Sequence, residues 1–173
     1  MVDVQENLFS LVDRSYEVLE KMCFMVEASR LLNLPIFVTE QYPQGLGSTV
    51  APVKSRLSPQ QTFFSKTSFS GYYEPALKQA VDQTGVETWI LVGIEAHICV
   101  LQTAKDLLDG GKDVVVLNDA VSSRSLFDFS TAMGELRDAG VRLSSTETVV
   151  YELIRDASSP EFKAILPLVK AHA

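Results

Sequence analysis

Short apolar runs alternate along the chain with stretches in which apolar residues recur every three or four positions. This spacing is typical of strands that alternate with amphipathic helices. Since each strand-like run is apolar throughout, we expect a parallel sheet whose two faces are both covered by helices. The pattern therefore predicts one α/β domain over residues 1–173. Its expected architecture is three-layer α/β/α with a central, Rossmann-like parallel sheet of about six strands.

The predicted elements follow in order along the chain. Strands are expected near residues 2–4, 36–39, 89–92, 114–117 and 141–143. Helices are expected near residues 8–26, 74–83, 97–108 and 129–139, after a cap at Thr146, and from Pro160 onwards. Residues 40–66 are rich in Gly, Pro, Ser and Gln, which predicts a long irregular loop. Loops of that length inside a compact domain are uncommon and often functional.

Charge and composition narrow the classes of function. The chain has 15 basic and 22 acidic residues, a formal net charge of −7, and no basic cluster offsets this balance. Such a chain repels phosphate backbones, so binding to nucleic acid is disfavoured. No apolar run is long enough to predict a membrane helix. The nucleotide-binding fingerprints GxGxxG and GxxxxGK[ST] do not occur.

The cysteines and histidines predict a reducing environment and no metal site. Cys23 and Cys99 are two cysteines in a chain of 173 residues, which favours free thiols over a structural disulfide. The protein is therefore expected to be cytoplasmic, or to lie in an organelle if its natural amino terminus is longer. His97 and His172 are too few for a typical histidine-rich metal site. No metal and no cofactor are expected.

The position of Cys99 in the sequence makes it a candidate nucleophile. It falls a few residues beyond the strand at residues 89–92, on the side of a parallel sheet where ligands bind. In the first turn of the following helix, the helix dipole is expected to lower the pKa of the thiol. The alternative is that Cys99 fills space in the core, as Cys23 is expected to do. His97 is two residues away and does not face Cys99 on a helix, so a Cys–His pair is not expected.

Asp3 and Lys66 are the charged candidates for partners of this thiol. Asp3 closes the first strand between two valines, where it could act as a base or could cap the next helix. Lys66 follows two phenylalanines and could hold a thiolate and a carboxylate together. The alternative for Lys66 is a stem that covers apolar surface while the ammonium reaches water. Position alone leaves both alternatives open.

Five segments together resemble the isochorismatase-like, or cysteine hydrolase, superfamily. Residues 2–5 (VDVQ) resemble its first-strand aspartate motif, residues 66–69 (KTSF) its lysine motif, and residues 93–100 (GIEAHICV) its nucleophile motif. Residues 40–47 (EQYPQGLG) and 119–124 (DAVSSR) closely resemble the isochorismatase domain-containing proteins. The motifs occur in the expected order and span nearly the whole chain, which makes the set far more specific than a single aspartate or lysine.

The resemblance implies a triad of Asp3, Lys66 and Cys99 that hydrolyses a small amide or related C–N bond through a thioester. It also implies a cis peptide bond between Ile94 and Glu95, with the backbone amides of Glu95 and Cys99 forming an oxyanion hole. Members are commonly oligomers, so a homo-oligomer, dimeric or higher, is expected. Candidate substrate-pocket residues are Thr39, Gln41, Tyr42, Phe64, Phe69, Tyr72 and Ala96.

The departures from the family pattern refine these expectations. Only Met1 and Val2 precede Asp3, so the first strand is short. The Asp-x-His motif and further histidine of metal-binding nicotinamidases do not occur, which disfavours metal-assisted nicotinamide binding. Isochorismatases proper cleave a vinyl ether without a cysteine, so Cys99 favours the amide or thioester branch. Two alternatives remain open: a non-catalytic oligomeric binding protein that kept the fold, and an RNA-processing protein, which the acidic charge disfavours.

Three residues near the predicted site have further expectations. The side chain of Glu95 is expected to be an exposed turn residue, since the amide would carry its role. Asp119 is expected to be a structural cap. Arg124 is expected to pair with Asp119 or with an acid on a neighbouring subunit.

Overall fold

The computed structural model describes residues 1–172, which form one parallel sheet between two layers of helices. Its strands are β1 (Val38–Gln41), β2 (Phe63–Lys66), β3 (Thr88–Ile94), β4 (Asp113–Ser122) and β5 (Arg142–Ser144). Its helices are α1 (Glu6–Phe9), α2 (Ser15–Leu31), α3 (Pro43–Leu46), α4 (Ala51–Lys54), α5 (Pro75–Gln83), α6 (Leu101–Asp109), α7 (Leu126–Asp138), α8 (Thr146–Ile154) and α9 (Pro160–Ala171), and a π-helical turn (Ala96–Val100) directly precedes α6.

A single residue, Val2, joins the two halves of the sheet. β1 pairs with β2, and β3 pairs with β4, which pairs with β5, all in parallel. Val2 forms parallel bridges to Thr39 on one side and to Gly93 on the other. Its backbone N–H donates to the carbonyl of Val92 at 2.8 Å, and its carbonyl accepts from the N–H of Ile94 at 2.9 Å. The predicted α/β fold class is confirmed, with five strands and this bridge in place of about six strands.

Gly93 allows the amino-terminal segment to lie directly against β3. Its φ is +130°, and a Cβ atom built there would lie 2.1 Å from the carbonyl oxygen of Val2. Because that contact is with backbone, a side chain at position 93 would push Val2 out of the sheet. The residue that follows Val2 is Asp3, so this close approach fixes where that carboxylate sits.

The two faces of β4 show how the apolar pattern builds the core. Val115 and Leu117 pack in one buried cluster with residues of α2, α8 and α9, whereas Val114 and Val116 pack in the other with residues of α5, α6 and α7. Side chains alternate between faces along a strand, so a strand with helices on both sides must be apolar at every position. Cys23 is 1% exposed within the first cluster, as expected.

The helix predicted near residues 8–26 is interrupted. α1 ends at Phe9, and α2 begins at Ser15 after Arg14, whose φ of +49° is left-handed. Asp13 is held from both sides by the end of β4. Its N–H donates to the carbonyl of Ser123 at 3.0 Å, and its carbonyl accepts from the hydroxyl of Ser122 at 2.6 Å. These hydrogen bonds replace those that a continuous helix would form at Asp13. The spacing of apolar residues does not reveal them.

Residues 40–66 are more regular than the composition predicts. The segment contains α3, α4 and the strand β2, whose four residues pair with β1. β2 was missed because it is short and lies at the edge of the sheet. Two helix starts also differ: α7 begins at Leu126, and Ser145 is the N-cap of α8, its hydroxyl accepting from the N–H of Thr148.

Candidate active site

A buried ion pair between Asp3 and Lys66 forms the centre of the candidate site. Lys66 Nζ lies 2.7 Å from Asp3 Oδ2, and both side chains are 0% exposed. The other carboxylate oxygen, Asp3 Oδ1, accepts a hydrogen bond of 2.7 Å from the hydroxyl of Thr39. Asp3 adopts a left-handed φ of +51°, which aspartate tolerates better than most residues. β1 and β2 therefore supply the partners of a carboxylate that follows Val2.

Lys66 is surrounded by oxygen acceptors. Besides Asp3, its ammonium donates to Gln41 Oε1 at 2.6 Å and to the carbonyls of Ser68 at 3.1 Å and Phe69 at 3.0 Å. A buried cation is tolerated when such acceptors compensate for lost hydration. The alternative of a lysine that covers apolar surface while its ammonium reaches water is wrong for this residue.

The Cys99 thiol lies beside this pair and is protonated at rest. Cys99 is 5% exposed, within the π-helical turn. Burial raises the pKa of the thiol to about 12, the negative charge of Asp3 and a hydrogen bond to it add to the rise, and Lys66 opposes it. The expectation that a helix dipole lowers this pKa is therefore wrong. Desolvation disfavours the thiolate more strongly than the start of a helix favours it.

This raised pKa predicts a loss of stability in alkali that depends on Cys99. Between the ordinary value of 9.0 and about 12, the unfolded thiol ionises while the folded thiol keeps its proton. The raised pKa contributes at most ~4 kcal/mol to the free energy of unfolding. This contribution is fully present below about pH 9 and is lost as the pH rises through the pKa of the folded protein. Urea denaturation over that range should show a steeper decline for the wild type than for Cys99→Ser. Parallel declines would contradict the raised pKa.

The Glu95 side chain is buried and paired, contrary to expectation. It is 3% exposed, and its Oε2 accepts from the backbone N–H of Arg124 at 2.9 Å and from Arg124 Nε at 3.0 Å. Arg124 thus pairs within the chain, and not with Asp119. Asp119 Oδ1 instead accepts from the N–H and the hydroxyl of Thr146 at the start of α8, which is a structural role. The peptide bond between Ile94 and Glu95 is cis.

Gln5 holds the segment from Gln41 to Gly47 in place by hydrogen bonds to its backbone. Gln5 is fully buried, its Nε2 donates to the carbonyls of Gln41 at 2.9 Å and Gly47 at 2.8 Å, and its Oε1 accepts from the N–H of Gln41 at 2.7 Å. The Glu40 carboxylate also stabilises this segment, because it accepts hydrogen bonds from both the N–H and the hydroxyl of Thr49. These bonds set the position from which Gln41 reaches Lys66.

The residues proposed as a substrate pocket divide into three groups. Thr39 and Gln41 hold Asp3 and Lys66 directly, and Ala96 is buried at the start of the turn that carries Cys99. Tyr42 and Phe69 are 55% and 54% exposed on the segments that also carry Gln41 and Lys66. The third group is Phe64 and Tyr72, which pack in or against the buried cluster that contains Cys99.

The aromatic rings of Phe64 and Tyr72 also have defined packing partners of their own. Phe64 stacks on Phe37 with ring centroids 6.0 Å apart. The Tyr72 hydroxyl donates to Asp82 at 2.7 Å, and its ring lies against Gly110, just past the end of α6. Cys99 precedes α6, so Tyr72 sits at the opposite end of that helix. A role for Tyr72 in a substrate pocket stays a prediction, since Tyr72 and Cys99 lie in one buried cluster.

Several polar residues at the site were not predicted from the sequence. Gln5 and the side chain of Glu95 are the clearest, and Ser70 is another. The Ser70 hydroxyl is the one buried side-chain polar atom without a hydrogen-bond partner among residues 1–172. For Thr39 and Gln41 the sequence did hold a signal: residues two apart on a strand point to the same face, so the two side chains were expected to lie on one face of β1.

Within the part of the chain that the structure describes, no group of three or more His, Cys, Asp or Glu side chains could hold a metal ion. No helix among residues 1–172 is long and apolar enough to cross a membrane.

Comparison with known proteins identifies similar sequences and folds. Residues 1–148 match the family described as isochorismatase domain. The chain is 41% identical over 172 residues to isochorismatase domain-containing protein 2 of Bos taurus, covering 98% of this chain and 81% of that protein. The MAR1 ribonuclease structure from Caenorhabditis elegans is similar with a TM-score of 0.92 and 39% identity, over 97% of this chain and 86% of that one. YcaC from Pseudomonas aeruginosa, solved with hexane-2,5-diol and covalent acrylamide, has a TM-score of 0.90 and 27% identity, over 99% and 88%.

Proposed function

Because this chain belongs to the isochorismatase family, we propose that it is a hydrolase that cleaves a small amide or related C–N bond with Cys99 as nucleophile. The observation that carries the proposal is the buried Asp3–Lys66 pair beside a buried thiol. A buried ion pair is weak evidence for stability, since apolar residues of similar volume often serve as well. An ion pair in which the carboxylate can accept the proton of a thiol, and the ammonium can stabilise the resulting thiolate, has a role in catalysis.

In the first step, the Cys99 thiol transfers its proton to Asp3 while its sulfur attacks the substrate. The Cys99 thiol is protonated near neutral pH because its pKa is about 12, so the Asp3 carboxylate takes the proton as the sulfur attacks the carbonyl carbon. The C=O π electrons move to oxygen, giving a tetrahedral oxyanion. Lys66 stabilises negative charge on Asp3 before transfer and on sulfur during it.

The second half of the reaction returns the proton. The oxyanion collapses, the C–N bond breaks, and the leaving nitrogen takes the proton from Asp3, leaving a thioester on Cys99. Water then gives a proton to Asp3 and attacks the thioester carbonyl. Collapse of that second intermediate breaks the C–S bond and releases the carboxylic acid, and the sulfur takes the proton back from Asp3, which restores the thiol. We assign the backbone amides of Glu95 and Cys99 to the oxyanion in both intermediates.

A trapped acyl-enzyme tests this proposal. The protein is incubated with a panel of small primary and N-substituted amides, quenched in acid and analysed by intact mass and peptide mapping. We expect substrate-dependent turnover and an acyl adduct on Cys99, with no adduct on Cys23, whose pKa burial also raises. Cys99→Ser should lose turnover, whereas the matched Cys23→Ser variant should retain it. Turnover that survives Cys99→Ser would refute the nucleophile.

RNA cleavage is a second candidate, because the similar Caenorhabditis elegans protein is described as a ribonuclease. The charge of −7 opposes contact with a phosphate backbone. The side chains of Asp3 and Lys66 are 0% exposed, so a polymer has poor access to them. Cleavage of end-labelled RNA that is equal in the wild type and in Cys99→Ser would favour a ribonuclease site elsewhere on the protein. Binding of amides without turnover would favour a non-catalytic binding protein.

A further inference from the structure

Ser70 is a buried serine in the segment that follows Lys66, and its hydroxyl has no partner within the described chain. Ser70 is 4% exposed, and no group of residues 1–172 forms a hydrogen bond with its Oγ. A buried hydroxyl without a hydrogen bond costs stability, so such groups are rare and often mark a functional contact or a bound small molecule. The partner of this hydroxyl must therefore come from outside the chain.

The residues before Ser70 wrap around the ammonium of Lys66. The carbonyls of Ser68 and Phe69 accept from Lys66 Nζ at 3.1 Å and 3.0 Å. The Ser68 hydroxyl donates to the carbonyl of Ser70 at 2.9 Å, which tightens this turn. Phe69 is 54% exposed, whereas Ser70 is buried. The chain thus turns inward at Ser70, directly after the residue that binds the ammonium.

The residue after Ser70 is fixed to the helix that follows the nucleophile. The N–H of Gly71 donates to Thr103 Oγ1 at 2.8 Å. Thr103 lies four positions after Cys99, and residues at that spacing share a helix face. A Cβ atom at Gly71 would lie 3.3 Å from Cγ2 of Thr39, whose hydroxyl binds the carboxylate of the ion pair. Ser70 is therefore held between the ion pair and the helix face of the nucleophile.

This position relates Ser70 to the nitrogen of the scissile amide. In the proposed reaction the carbonyl oxygen of the substrate faces the backbone amides of Glu95 and Cys99. The nitrogen must reach Asp3 instead, because Asp3 returns a proton to it. Ser70 directly follows a residue bound to Lys66, the partner of Asp3. Its hydroxyl is therefore on the side of the leaving nitrogen.

We propose that the Ser70 hydroxyl binds the substrate, accepting a hydrogen bond from the N–H of the scissile amide, and then holds the water that replaces the leaving amine. The inference rests on the proposed amide hydrolysis. An amide N–H and a water O–H both donate to oxygen, so one acceptor serves both halves of the reaction. The contact would orient the nitrogen toward the proton on Asp3, and the water toward the thioester on Cys99. Ser70 itself forms no covalent bond.

Protection of Cys99 by a small amide tests this contact without any turnover. The probes are propionamide and butan-2-one, in which a methyl group replaces the NH₂. Methyl methanethiosulfonate, which carries no amide, modifies Cys99, and the probe concentration that halves its rate measures affinity. In the wild type, propionamide should protect the thiol more strongly than butan-2-one. In Ser70→Ala the affinity for propionamide should fall about tenfold, and that for butan-2-one by less than about twofold.

Thermal unfolding separates this role from a structural one. Because the Ser70 hydroxyl has no partner within the described chain, Ser70→Ala should not lower the midpoint of unfolding. The matched control is Ser122→Ala. Ser122 is 1% exposed, and its hydroxyl donates to the carbonyl of Asp13 at 2.6 Å. This variant should lower the midpoint by about 2–4 °C and leave the affinity for propionamide unchanged.

The outcomes distinguish this proposal from the proposed function. Equal losses for the two probes in Ser70→Ala, or no protection by propionamide in the wild type, would overturn the role of Ser70. So would a less stable Ser70→Ala that binds propionamide normally, since the hydroxyl would then be structural. Amide-specific protection without hydrolysis of any amide would defeat the hydrolase and support the Ser70 contact. Equal hydrolysis of an amide by the wild type and Ser70→Ala would defeat the Ser70 contact alone.

Discussion

Asp3→Asn is expected to lower the turnover of the proposed reaction by ~10³-fold. With a pKa of about 12, only ~10⁻⁵ of the Cys99 thiol is ionised at neutral pH, so nearly every turnover needs a base. Asparagine keeps the size of the side chain and an oxygen that can accept from Thr39, but it cannot take the proton. Initial rates with the substrate found in the amide screen measure the effect.

The same variant can be tested without a substrate. Alkylation of Cys99 by iodoacetamide, read by peptide mapping, should be slower in Asp3→Asn than in the wild type near neutral pH. In the variant the rate should increase about tenfold per pH unit, because hydroxide must replace the carboxylate. The matched control is Thr39→Val, which removes a hydrogen bond to Asp3 but leaves its charge, and it should have a much smaller effect. Equal effects of the two variants would indicate that Asp3 acts only through packing.

Lys66→Met is expected to lower the free energy of unfolding by ~3–5 kcal/mol, because it leaves the carboxylate of Asp3 buried without its cation. Methionine fills a similar volume, so lost packing contributes little. Urea denaturation of the wild type and the variant at neutral pH measures the effect.

Two further variants identify the cause of that loss. Lys163→Met removes an exposed lysine on α9 and should change the free energy of unfolding by less than ~0.5 kcal/mol. The double variant Asp3→Asn with Lys66→Met removes both charges and should be more stable than Lys66→Met alone. If the double variant were the less stable of the two, an unpaired carboxylate would not explain the loss.

The fold was predictable because its strongest signal is local. Runs such as residues 114–117 are apolar at every position, and only a strand covered on both faces tolerates that pattern. β2 has no such signal, since its burial depends on pairing with β1. The break at Arg14 was equally invisible, because Asp13 is bound by residues more than a hundred positions away.

The candidate site was predictable only as a set of motifs. Nothing in the spacing of residues 3, 66 and 99 requires them to meet, and the resemblance to a family supplied that expectation. The pKa of Cys99 was predicted with the wrong sign because burial is a property of the folded chain. Thr39 and Gln41 were predicted as pocket walls, whereas they hold the charged pair. Roles of this kind depend on the direction of each side chain, which sequence patterns report only along a strand.

The buried amino group of Met1 has a practical consequence for handling the protein. A purification tag fused there would replace the amino group that donates to Phe37 with an amide, and its last residues would lie next to β1 and β3, which Val2 joins. Asp3 lies two residues further on, so such a fusion would alter the sheet next to the proposed base. A tag placed beyond α9 avoids this, and recombinant samples meant for kinetics should carry it there.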